Sequence, residues 1–60
     1  MFVELDKRRD AGYTVSLEWA RDTDDMQIVL ADRRTASLLV FPVPGASAGD
    51  AFRHPCRYAP

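Results

Sequence analysis

Four stretches of the chain alternate or cluster apolar residues in ways that predict elements. Tyr13–Trp19 is the clearest. Tyr13, Val15, Leu17 and Trp19 fall on one side, and Thr14, Ser16 and Glu18 on the other. Strict period-two alternation of β-favouring types reads as a strand. Met26–Ala31 repeats the pattern, with Met26, Ile28 and Leu30 against Gln27, Val29 and Ala31. Thr35–Pro44, TASLLVFPVP, breaks it. Leu38, Leu39, Val40, Phe41 and Val43 stand almost back to back, so both faces of this strand are expected to meet protein. Pro42 cannot donate to a ladder, which predicts an edge.

Met1–Asp6 alternates as a strand, although acid early, base late and a closing Gly12 also suit a short helix. An internal echo favours the strand. With Met1 laid on Met26, Val3 meets Ile28, Leu5 meets Leu30, Arg8 and Arg9 meet Arg33 and Arg34, and Val15 meets Val40. Between the strands, Lys7–Gly12, Arg21–Asp25 and Asp32–Thr35 read as polar loops or turns, with Gly12 able to take a positive φ. After the Gly45–Ala46 break, Ser47 is the expected N-cap of a helix over Ala48–His54, with Asp50 suited to the dipole. Pro55 disfavours helical geometry at His54 and ends the helix there unless it kinks it instead. Phe52 and Cys56 are its expected apolar anchors, and Tyr58 packs as the tail returns.

These elements predict an α+β fold: an antiparallel β-meander of three to four strands followed by one short C-terminal helix. Residues 1–60 are expected to form a single small domain. The expected core is Trp19, Leu17, Phe52 and Tyr58, with the Trp19 indole N–H needing an acceptor. One short helix covers only part of one sheet face. Phe2, Val29, Leu38 and Val40 are therefore the candidates for an uncovered apolar side.

Length sharpens that point. A chain of 60 residues buries only about 60% of its unfolded surface and is marginal alone. Small domains are commonly reinforced by disulfides, metals or oligomerisation. The single cysteine, Cys56, excludes an intrachain disulfide and suits a reducing compartment. The first residues, MFVELDKRRD, lack the pattern of a signal peptide, and no apolar run approaches the roughly 20 residues of a membrane span. The expectation is a soluble cytoplasmic protein with no membrane partner. With 28% charged and 47% hydrophobic residues, the composition is that of a folded domain.

Net charge is −1, yet a meander places alternate loops at one end. Lys7, Arg8, Arg9, Arg33 and Arg34 would gather there against Asp10 and Asp32, opposite the acidic Arg21–Asp25 turn. Arg8, Arg9, Arg33 and Arg34 are thus candidate phosphate contacts, since the guanidinium fork matches phosphate. No aromatic is interleaved in the sequence with these arginines to offer a stacking platform. His54 and Cys56 are weak metal candidates, two ligands where a structural zinc wants four, though a symmetric dimer would pool them. No cofactor is expected. Asp50, His54 and Cys56 are nominally the types of a nucleophilic triad but lie on one short segment, and no catalytic residue is assigned. Asp22, Asp24 and Asp25 read as turn formers.

The tail Asp50-Ala51-Phe52-Arg53-His54-Pro55-Cys56-Arg57-Tyr58-Ala59, with GYTVSLEW upstream, resembles small uncharacterised proteins of bacterial, actinobacterial type that end in F-x-H-P-x-x-Y-A. The resemblance implies a packing position at Cys56, where such tails often carry an aromatic, and brings no activity with it. The expected role is a small non-enzymatic interaction module, a homodimer or the receiver of a protein partner. The alternative is a nucleic-acid-associated protein using its Arg-rich loops.

Overall fold

A computed structural model describes all 60 residues. Four strands run β1 (Phe2–Asp10), β2 (Tyr13–Ala20), β3 (Asp25–Asp32) and β4 (Ser37–Val43). They form one antiparallel sheet in the order β1-β2-β3-β4. A 3-10 turn (Gly45–Ser47) leads into helix α1 (Ala48–Arg53), and a second 3-10 turn (Pro55–Arg57) follows. The α+β meander with a short C-terminal helix is therefore the fold, with four strands.

The alternation in β2 and β3 sorts the sheet. Cross-strand rows Val15–Leu30, Leu17–Ile28 and Trp19–Met26 put the apolar side chains of both strands on one face. From β4, Leu39, Phe41 and Val43 join them. The tail folds over this face, and Val15, Ile28, Phe41, Val43 and Ala51 make the buried core, with Leu17, Met26, Leu30, Phe52 and Tyr58 packed around it. Val15 and Ile28 are the largest fully buried side chains. Trp19 is not among them. Its row lies beside the β2–β3 turn, and its indole N–H donates to Asp24 Oδ1 at 2.7 Å, which holds the ring at the rim of the core.

β1 is longer than the sequence pattern predicts. It runs through Lys7, Arg8 and Arg9, and only Ala11 and Gly12 form the turn, with Gly12 at φ 78°. A polar run became strand because it lies at an edge, where one side of the ladder and one sheet face meet water. A bulge at Leu5, between Glu4 and Asp6, resets the register. The echo between the halves therefore does not carry into equivalent environments: Val15 lies in the core and Val40 on the open face.

The tail departs from expectation at three points. Ser47 makes no side-chain cap. Its own N–H donates to the Pro44 carbonyl at 2.9 Å, and Ala48 N–H donates to the Gly45 carbonyl, so the 3-10 turn supplies acceptors in its place. The helix stops at Arg53, and His54 leaves helical geometry at φ −133° and ψ 65°, as the clash of the following proline requires. Cys56 is exposed, and the buried anchor is its neighbour Pro55. The packing role that the resemblance implies for Cys56 is therefore not the one this tail uses. Restarting as a 3-10 turn at Pro55 rotates the side chains away from a continuous helical spacing.

Candidate interaction surface

The face opposite the helix splits into two halves. On the β1–β2 side it carries Glu4, Lys7, Arg9, Thr14, Ser16 and Glu18. On the β3–β4 side, Val29 lies opposite Val40 and Ala31 opposite Leu38, with Pro42 beyond. Three of the four residues expected on an uncovered apolar side, Val29, Leu38 and Val40, thus share one patch. Phe2 does not join it. It lies on the same face, but on β1 opposite Ala20, diagonally across the sheet.

This patch runs into a free edge. β4 has β3 on one side and nothing on the other. Leu38 is 67% exposed, Val40 47% and Leu39, on the helix-covered face, 38%. Consecutive strand residues point to opposite faces, so these three leucine and valine side chains wrap the edge from both sides. Ser37–Val43 contains no charged residue. The other edge, β1, is guarded by a bulge and by Glu4, Asp6, Lys7, Arg8, Arg9 and Asp10. Charges and bulges are the usual means of keeping an edge from pairing. β4 has neither.

The basic end is differently built from the expected pair of arginine loops. The β1–β2 and β3–β4 turns do lie together, joined by Arg33 N–H donating to the Gly12 carbonyl at 2.9 Å. But Arg8 and Arg9 are strand neighbours on opposite faces. Arg8 reaches under the helix, where its Nε donates to the Phe52 carbonyl at 3.0 Å and its Nη2 to the Arg53 carbonyl at 3.1 Å. It lies 5.5 Å from the Phe52 ring centroid. Those carbonyls end the helix and lack helical partners, so Arg8 serves as a C-terminal cap. Arg33 donates to the Asp10 carbonyl at 3.3 Å. Arg34 lies 5.3 Å from the Tyr13 ring centroid and 3.4 Å from Asp32. An aromatic thus meets an arginine in space although none is interleaved with them in sequence. Burial opposes ionisation of Asp32, but the backbone N–H and guanidinium of Arg34 outweigh it and hold the carboxyl below its ordinary range. Arg9 alone of the four stands on the open face.

A cavity of 340 Å³ opens between the tail and this end of the sheet, with Val15 and Leu30 in its lining and Arg8, Arg53 and Arg57 among its polar groups. His54 and Cys56 also line it. The structure therefore brings both to one cavity, without a cluster of three His, Cys, Asp or Glu groups that would hold a metal. Asp50 is engaged elsewhere. Tyr58 O–H donates to it at 2.8 Å, and this bond, with Arg57 nearby, lowers its pKa against the effect of burial. No helix is long and apolar enough to cross a membrane.

The free edge was only half visible in sequence. The unbroken apolar run and Pro42 pointed to it, but the guarding of β1 depends on Lys7–Asp10 being strand, which their polarity hid. No protein-family model, curated protein or solved structure matches the chain.

Proposed function

We propose that this protein is a small non-enzymatic interaction module that self-associates as a homodimer through the β3–β4 half of its sheet. One observation carries the reading: Leu38, Leu39 and Val40 are 67%, 38% and 47% exposed on an uncharged edge strand. Apolar side chains in contiguous exposed patches mark interaction sites, and a fold this small gains stability from association. The lone exposed Cys56 suits the reducing cytoplasm, where it stays a thiol.

Light scattering behind a sizing column tests the reading, at low and high salt. The expected result is a dimer whose mass does not change with salt. Replacing Leu38 and Val40 together with Asp is expected to give a folded monomer or an unfolded chain. A wild-type monomer at every concentration, or a double variant unchanged in both assembly and stability, overturns the proposal. Association with nucleic acid that weakens steeply with salt would instead favour the arginines.

A further inference from the structure

Resting on that reading, we infer that the two copies join edge to edge rather than face to face: β4 pairs with β4 of a second copy, antiparallel, with Leu39 on the two-fold axis, into one eight-stranded sheet.

The direction of the backbone groups sets the register. Arg33 N–H bonds to Gly12 across the β2–β3 boundary, so Arg33 faces β2. In an antiparallel sheet the backbone groups of successive residues point to alternate sides. Ala31, Val29 and Gln27 therefore also face β2, while Asp32, Leu30, Ile28 and Met26 face β4. Their partners Ser37, Leu39, Phe41 and Val43 are bonded inward. Leu38, Val40 and Pro42 are left pointing outward. Pro42 has no N–H to offer, which is tolerable at an outward position and disruptive at an inward one.

Only some two-fold registers use what remains. With Val40 on the axis, the two Val40 residues bond each other and each Leu38 N–H reaches the partner's Pro42 carbonyl, also about four bonds. Each Leu38 carbonyl then faces a proline that has no N–H to give. With Leu39 on the axis, Leu38 faces the partner's Val40 and Val40 the partner's Leu38. All four N–H and C=O pairs are then complete, about four hydrogen bonds, and Pro42 lies against the partner's turn, where no donor is asked of it. The same register disposes of the side chains. Leu38 and Val40 of each copy meet on the open face and join the two Val29 patches into one stripe. The two Leu39 side chains meet on the helix-covered face. A dimer that packs open face on open face leaves Leu39 and the outward backbone of β4 in water. The charged, bulged edge of β1 ends the assembly at two copies.

Cysteine cross-linking in a Cys56→Ser background tests this, with light scattering run on each variant. Opposed non-hydrogen-bonded residues have Cα atoms about 4.5 Å apart, within disulfide reach. The two Leu38 positions would lie about 9 Å apart, beyond it. Leu39→Cys is therefore expected to form a disulfide-linked dimer under mild oxidation, and Leu38→Cys to form little. The reverse preference, or no link from Leu39→Cys in a species that scatters as a dimer, overturns the edge register while leaving self-association standing. Monomers throughout overturn both. Val40→Pro supplies a second measure. It removes an outward N–H without touching the β3–β4 bonds, at a position like that of Pro42. Two of the four intermolecular bonds vanish, and the dimer is expected to weaken about tenfold or more with circular dichroism unchanged. A folded Val40→Pro variant that dimerises as wild type overturns the inference. If the variant unfolds, the cross-links decide alone.

Discussion

At the scale of single residues, Arg8 separates structure from function most sharply. Its charge suggests a ligand, but its fork spans the Phe52 and Arg53 carbonyls at 3.0 and 3.1 Å and so ties the first strand to the end of the helix. A hydrogen bond to a charged group contributes about 1.5–3 kcal/mol when sheltered, and the Arg8 side chain is 29% exposed. Arg8→Met keeps the apolar stem and removes both bonds. It is expected to lower unfolding stability by about 1–3 kcal/mol in urea titration. Arg8→Lys, a point charge on a flexible stem, should recover less than half of the loss because it cannot bridge two carbonyls at once. If Arg8→Met unfolds at the wild-type urea midpoint, the capping role is wrong. Trp19 teaches the converse. Its size and strand phase mark it as core, yet a polar handle near a turn rich in aspartates took it to the rim.

At the scale of elements, strict alternation was fully legible. β2 and β3 lie where Tyr13–Trp19 and Met26–Ala31 predict, extended by one or two residues at their ends. What alternation could not reveal was β1 beyond Asp6. An edge strand with a bulge has no continuous period to read, and Leu5 sits where the phase slips. The N-cap differs from the expected one for a related reason. Ser47 has the right chemistry, but a preceding 3-10 turn had already filled its role with backbone carbonyls. The turns also contain a correctable strain. Ala36 closes the β3–β4 turn at φ 56°, and Asp24 lies at φ 63° in the β2–β3 turn. A left-handed conformation costs alanine about 1–2 kcal/mol, whereas glycine adopts it freely but loses about 0.4–1 kcal/mol through its looser unfolded chain. Ala36→Gly is therefore expected to stabilise by about 0.5–1 kcal/mol. Asp24→Gly should not, because Asp24 accepts the Trp19 N–H at 2.7 Å. Thermal melts of the two variants check this, and a destabilised Ala36→Gly would mean that the turn is held by something other than its backbone preference.

At the scale of the whole molecule, the sheet has one guarded edge and one bare one. The helix and tail shelter a core in which only Val15 and Ile28 are large and fully buried. So small a core makes folding and association inseparable in energy: what binds the native state but not the unfolded one adds to its stability. For a dimer, tenfold more protein supplies about 1.4 kcal/mol per dimer, or half that per chain. In a domain of this size that corresponds to a rise in Tm of roughly 3–5 °C. The wild-type melting temperature is thus expected to climb by that amount for each tenfold increase in concentration. Val40→Pro, with two of the about four outward bonds removed, should melt lower than wild type at each matched concentration, as expected of a dimer weakened about tenfold or more. Scanning calorimetry across two decades of concentration makes the comparison. A flat wild-type Tm would mean that the edge contributes nothing to the folded state and that the exposed leucines await a different protein.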